Sequence, residues 1–286
     1  MRKIMTFIFF CTFLVVLSTT AFAQNKKNCA LNVATFNLRM DTPNDGENAW
    51  PNRKEMVKGL FRFHDFDICG TQEGFKHQLS DILELGNYSY VGAGRDDGKD
   101  AGEHSAILYK KDRLEVLENG NFWFSETPDI PSKGWDATCC NRICSWAKFR
   151  DKKSGKEFYV FNSHFDHEGR VARRNSSLLL LKRIQEIAGN MPVFCTGDFN
   201  AIPDDEPIQI IYNDGSLRDS YRVTRQPPYG TEGTFHSFNV NSPMKGRIDY
   251  IWVTKNITVI KYGTLNEQQY GRFPSDHFPV MIKAVF

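Results

Sequence analysis

The chain has 286 residues, 41% of them hydrophobic and 13% aromatic, which suits a sizeable core and argues against intrinsic disorder. Arg2 and Lys3 are the only charges before Gln24, so from Gln24 onward 34 Lys and Arg (36 less 2) face 34 Asp and Glu. That balance argues against a protein that grips long nucleic acids through an overall basic excess, although folding can still assemble a local basic patch.

The chain opens with a basic start, an apolar run over residues 4–17 and the small-x-small triplet Ala21-Phe22-Ala23. These predict a secretory signal over residues 1–23, cleaved before Gln24. The run is too short for a membrane span, and Cys11 lies inside it rather than after it, which argues against a lipoprotein. Residues 24–286 are then expected as one soluble, exported domain, periplasmic or extracellular, because no repeat, low-complexity segment or Pro/Gly/Ser linker divides them. Short, nearly uniformly apolar runs predict strands over 31–38, 66–71, 88–91, 105–109, 144–149, 157–163, 192–196, 248–253 and 278–285. Helices are predicted over 52–63, with Met56, Val57 and Leu60 on one face, over 75–85, and directly after "CTGDFNAIPDDEP". A further helix, over about 168–188, carries Val171, Leu178, Leu181, Ile184 and Ala188 near one stripe, with Arg173, Arg174, Lys182 and Arg183 on the wet side. Strands mixed with helices in this way predict a layered α/β sandwich.

Six cysteines follow the leader: Cys29, Cys69, Cys139, Cys140, Cys144 and Cys195. Cys69 and Cys195 fall in predicted buried strands and are expected as free thiols. Cys139, Cys140 and Cys144 form either a local disulfide or free thiols; a zinc site would want a fourth ligand at recognisable spacing, and none stands nearby.

Polar residues collect at the strand ends. "ATFNLR" ends on Asn37, "GTQEG" holds Glu73, and "FNSHFDH" gives Asn162, His164 and Asp166 on alternate positions. "CTGDFN" gives Asp198 and Asn200, which alternation places on one side of an extended backbone. "GRIDYIW" carries Asp249, and "PSDHFP" carries Asp276 and His277 before the last strand. Each has an ordinary explanation: Asn and Asp stop strands, Glu73 could open the next helix, and Asp249 could pair with Arg247. As a set they contain what phosphoester cleavage needs. A hard divalent cation on oxygen ligands neutralises the phosphate and stabilises the leaving oxygen. Two histidines serve the oxyanion, one of them oriented by an Asp, and a further Asp aligned by an Asn takes a proton from water. With no cysteine in the set, magnesium or manganese fits better than zinc.

In this order, "TFNLR", "GTQE", "NSHFDH", "GDFN", "RIDYIW" and "SDHFP" resemble the endonuclease/exonuclease/phosphatase superfamily, whose relatives include DNase I, apurinic/apyrimidinic endonucleases, neutral sphingomyelinases, inositol polyphosphate phosphatases and deadenylases. The resemblance spans about residues 31–286. It implies a DNase I-like four-layer sandwich: two mixed β-sheets packed face to face with helices outside. It also implies that Glu73 is the principal metal ligand, assisted by Asn37 and Asp276. By the same motifs His164 stabilises the transition state, Asp198 is the general base with Asn200 positioning its water, and His277 is a second phosphate contact oriented by Asp249.

The superfamily acts on nucleic acids, lipids, inositol phosphates and small phosphodiesters, so the resemblance does not choose a substrate. Residues 121–146 look closest to exported bacterial members. There Phe122, Trp123, Phe124 and Trp135 either wall a pocket or stack a base, or else simply pack a loop. Arg142 and Arg170 are candidates to reach a phosphate, and Glu103 and His104 to line the site. The leading expectation is an exported, magnesium- or manganese-dependent phosphodiesterase or phosphatase, monomeric and with no stable protein partner. A secreted nuclease is the alternative, favoured less by the neutral charge. An inert phosphate-binding module and a purely structural domain are the readings from other classes; the first is disfavoured because every motif residue is present.

Overall fold

Alternation along the strands sets the architecture. In the computed structural model, which describes residues 28–244 and 246–286, β1 (Ala30–Asn37) turns Leu31 and Val33 to one side and Ala34 and Phe36 to the other. Behind it come α1 (Trp50–His64), β2 (Ile68–Gln72), α2 (Lys76–Leu83), β3 (Tyr88–Val91) and β4 (Ile107–Lys110). Next are β5 (Leu114–Trp123), β6 (Ile143–Asp151), β7 (Glu157–His164), α3 (Arg170–Ala188), β8 (Val193–Asp198) and α4 (Glu206–Asp214). The chain finishes with β9 (Leu217–Asp219), α5 (Ser220–Val223), β10 (Asp249–Thr254), β11 (Thr258–Thr264) and β12 (Val280–Val285). The expected leader, residues 1–23, lies outside the described residues.

The strands form two six-stranded sheets, ordered β11-β12-β1-β2-β4-β3 and β5-β6-β7-β8-β10-β9. Each is mixed: β1–β2 and β7–β8 run parallel and the remaining pairs antiparallel. Val33, Ile68, Phe149, Phe158, Val160, Phe194, Ile251 and Ile282 meet between the sheets. α1 and α2 cover the outside of the first sheet through Val57, Phe61, Leu79 and Ile82 against Phe36, Cys69 and Leu108. α3 and α4 cover the second through Leu180, Ile184, Ile208 and Ile211 against Phe161, Cys195 and Trp252. The four layers therefore stand as the sequence implied, and strands buried on both faces explain the continuous apolar runs.

The stripe expected on α3 is corrected. Val171 and Leu178 are exposed, and the buried face is Ala172, Ser176, Ser177, Leu180, Ile184 and Ala188. Small residues let α4 approach closely there, and the Ser177 hydroxyl donates to the Pro207 carbonyl at 2.8 Å. Between the sheets the packing is equally tight. A Cβ on Gly70 would lie 2.1 Å from Thr196 Oγ1 and 2.5 Å from Asn162 Oδ1, so β2 approaches β7 and β8 only as glycine. Asn162 ties the sheets together: Nδ2 donates to the carbonyls of Thr71 (2.8 Å) and Ala106 (3.0 Å), and Oδ1 accepts from Gln72 Nε2 (2.7 Å) and Thr196 Oγ1 (3.0 Å). All six described cysteines are free thiols.

Candidate active site

The inter-sheet face of each central strand ends in a polar residue at the same edge of the sandwich. Pairing register does this: His164 of β7 stands opposite Asp198 of β8, and Asp198 stands opposite Asp249 of β10. Asp198 Oδ2 lies 3.7 Å from His164 Nε2 and 3.8 Å from His277 Nε2. The first sheet supplies Asn37 at the end of β1 and Glu73 just after β2. Asn37 Nδ2 donates both to Glu73 Oε1 (2.9 Å) and to Asp198 Oδ2 (3.0 Å), bridging the two sheets, while its Oδ1 accepts from the Arg39 backbone at 2.9 Å. Glu73 Oε2 accepts from the Met40 N–H at 3.1 Å. Asp249 Oδ2 meets His277 Nδ1 at 2.9 Å. Ser275 fixes the segment before β12 by donating to the Asn37 carbonyl at 2.6 Å.

Three expectations about local geometry change. β8 ends at Asp198, and Asn200 sits in a left-handed turn with φ 47, so the pair is not on one extended face. Asn200 serves Asp198 through its backbone, whose N–H donates to Asp198 Oδ1 at 2.9 Å, while its side chain donates to the Phe165 carbonyl at 3.1 Å. Glu73 (φ 63) and Arg39 (φ 55) also hold left-handed backbone, a strain that ordinary residues adopt rarely and that collects at functional sites. Glu73 therefore does not open a helix, and Arg247 pairs with Asp219 rather than Asp249.

Charge in this buried corner is uneven. Burial, reinforced by the Asp249 carboxylate, pushes Asp198 up to about 7. Burial, with Glu73 nearby, also raises Asp276. Burial opposes ionisation of Glu73, yet the Asn37 hydrogen bond and the His277 charge outweigh it and leave the carboxyl below its ordinary range. His277 goes well above the usual histidine value because the charge and hydrogen bond of Asp249, then Asp198 and Asp276, overcome its burial. His164 goes well below, through burial and then the cations Arg142 and Arg95. One imidazole is thus held charged and the other neutral. Glu73, His164 and Asp198 each bring a ligand atom within 4.8 Å of the others, a carboxylate and imidazole set able to hold a metal ion.

These residues open into a cavity of about 670 Å³. Glu73, His164, Asp198, Asn200, Asp276 and His277 line it, and so do Glu103 and Arg142. His104 lies behind the wall, buried, both ring nitrogens without a partner among the described residues. Arg170, Trp123 and Trp135 are not in the lining. Arg170 begins α3 facing solvent, Trp123 is buried with its Nε1 donating to the Arg95 carbonyl at 2.7 Å, and Trp135 packs against the outer core. Arg39, Arg95, His167, Phe235 and Phe238 line the cavity although the sequence reading gave them no role. Phe235 packs on the His277 ring at 4.9 Å between centroids.

The chain is similar in fold and sequence to known proteins. A structure of an endonuclease/exonuclease/phosphatase family protein from Bacteroides thetaiotaomicron matches with TM-score 0.88 and 44% identity, over 91% of this chain and 99% of that one. A mannosyl-6-phosphatase from the same organism matches with TM-score 0.85 and 43% identity, over 90% of this chain and 100% of that one. By sequence, an uncharacterized protein of Acanthamoeba polyphaga mimivirus is 32% identical over 162 residues, 53% of this chain and 59% of its own length. Nocturnin of Drosophila melanogaster is 27% identical over 176 residues, 57% of this chain but 25% of its own length. This chain therefore spans less than two thirds of either of those two relatives. The profile of the Endonuclease/Exonuclease/phosphatase family matches residues 34–277, and with it the chain belongs to this family of phosphoester hydrolases.

Proposed function

We propose that this protein is an exported, magnesium- or manganese-dependent hydrolase that cleaves the phosphoester bond of a small phosphorylated molecule, a sugar phosphate foremost. The observation that carries the reading is the position of Asp198 Oδ2, 3.7 and 3.8 Å from the two imidazoles and joined to Glu73 through Asn37. That gathers a base, two donors and a cation ligand on the wall of one cavity. The relative named as a mannosyl-6-phosphatase, 43% identical over 90% of this chain, supports the sugar phosphate. The signal pattern of residues 1–23 supports a periplasmic or extracellular enzyme, with residues 24–286 as its catalytic domain and no partner required.

The donor set fits a hard cation: Glu73, Asp198 and Asp276 offer oxygens, and their crowding in a buried corner favours a positive charge among them. A divalent ion held by Glu73, with Asp276 beside it, would neutralise phosphate charge and stabilise the leaving oxygen. Asp198, fixed by Asn37 and the Asn200 N–H, takes the proton of the attacking water. His277, kept charged by Asp249, and the neutral His164 donate to the phosphoryl oxygens as negative charge builds.

The test is hydrolysis by the purified mature chain, with either metal, of mannose 6-phosphate, p-nitrophenyl phosphate, bis-p-nitrophenyl phosphate, sphingomyelin and plasmid DNA. Turnover of a small ester, abolished by chelator and restored by metal, is expected. Full activity in excess chelator after dialysis ends the metal-dependent reading, and DNA cleaved ahead of every small ester replaces it with a nuclease.

A further inference from the structure

Three arginines line the cavity, and they are not equivalent. Arg39 forks onto Asp45, Nε to Oδ2 and Nη2 to Oδ1, both at 2.9 Å. Arg95 forks onto Glu103 at 2.6 and 2.7 Å. Both charges are matched by a carboxylate in the bidentate geometry that guanidinium prefers. Arg142 is different. It is only 5% exposed, yet its carboxylate contact is a single stretched approach, Nε to Asp166 Oδ2 at 3.5 Å. Asp166 spends its other oxygen on the N–H groups of Glu168 (2.9 Å) and Gly169 (2.6 Å) ahead of α3. Nη2 of Arg142 reaches a histidine ring nitrogen rather than a carboxylate, His167 Nδ1, at 2.7 Å, and Nη1 has no partner among the described residues.

A buried guanidinium without a matching carboxylate is costly unless something anionic completes it. Its charge reaches the reacting centre: after burial it is the largest influence holding His164 neutral. Inner residues that serve any phosphoester are already present in Glu73, His164, Asp198 and His277. What Arg142 adds is one further positive charge and a free donor. Phosphate esters differ in that respect: near pH 8 a monoester carries close to two negative charges and a diester one.

We propose that Arg142 is the specificity residue that completes the site for a phosphate monoester, its open Nη1 taking a terminal phosphate oxygen that a diester lacks. This rests on the phosphoester hydrolase reading and narrows it to phosphomonoesterase. Glu103 holds both terminal nitrogens of Arg95 beside it, so of the three Arg142 is the one whose guanidinium no carboxylate grips in a fork.

The experiment compares wild type, Arg142→Gln and Arg142→Lys with magnesium on p-nitrophenyl phosphate and bis-p-nitrophenyl phosphate. Calorimetric titrations of each variant with inorganic phosphate and with dimethyl phosphate accompany it. Arg142→Gln should lose about 10- to 100-fold in kcat/KM on the monoester, the range of one charged hydrogen bond, and less than about 3-fold on the diester. Arg142→Lys, which keeps the charge without the fork, should fall between. Phosphate should bind Arg142→Gln more weakly, with dimethyl phosphate unchanged. Equal losses on both esters would show that Arg142 only supports Asp166 and His167, and an unchanged monoester rate would equally overturn the proposal. If Arg142→Gln does not fold, the Lys variant decides by the same contrast. A wild type inert on both esters sinks the hydrolase reading instead, and the titrations then judge Arg142 by themselves.

Discussion

Asp249 sits in a strand buried on both faces, with Oδ2 on His277 and Oδ1 unpaired among the described residues. A carboxylate so placed is sustained by the charge it faces. Asp249→Asn keeps the shape and removes that charge, so the alkaline limb of the kcat/KM profile should move to lower pH. The sign follows from the pair: Asp249 favours imidazolium, and without it His277 gives up its proton sooner. His277→Ala should cost about as much alone as together with Asp249→Asn, because residues acting as one unit are non-additive. Losses that multiply in the double variant would separate them. Asn37, Glu73, His164, Asp198, Asp249, Asp276 and His277 could be picked out of the sequence because an isolated polar residue at the end of an apolar strand is conspicuous. Arg39 and Arg95 could not, since an arginine in a loop reads as solvent-facing until the fold supplies Asp45 and Glu103. Trp123 and Trp135 misled for the opposite reason: an aromatic ring suits a pocket and a core equally, and only packing tells which.

At the scale of elements, the strands that hydrophobic runs did not announce are β5, β9 and β11, and each lies at a sheet edge. An edge strand needs fewer apolar residues, so "LEVLENGNFW" and "TVIKYGT" mix charge with bulk and blur the pattern that marked the central strands. α3 shows a second limit. Leucines draw the eye to Leu178, but the helix buries the row holding Ala172, Ser176 and Leu180, because small residues are what a closely approaching α4 requires. Leu180→Ala should therefore destabilise by about 2–5 kcal/mol, and Leu178→Ala by no more than about 0.5 kcal/mol, read as shifts in urea midpoint at constant slope. Equal effects would mean the helix is rotated from the orientation described.

For the whole molecule, the layered class followed from the order of apolar runs, whereas the pairing of the two sheets did not, since strand order depends on contacts far apart in sequence. Those contacts now bear on denaturation. His164, Asp198 and Asp249 are aligned by strand register, and Asn37 and Glu73 join them only while the second sheet stays docked. No single sheet among the described residues contains a working set. Catalytic competence should then behave as a global property: in a urea titration, hydrolysis should disappear together with far- and near-ultraviolet circular dichroism, in one transition. Activity lost well before either signal would reveal a corner softer than the sandwich around it. Coincidence would mean that a sensitive assay of turnover reports the folded fraction directly, so that core variants far from the cavity can be ranked for stability by activity alone.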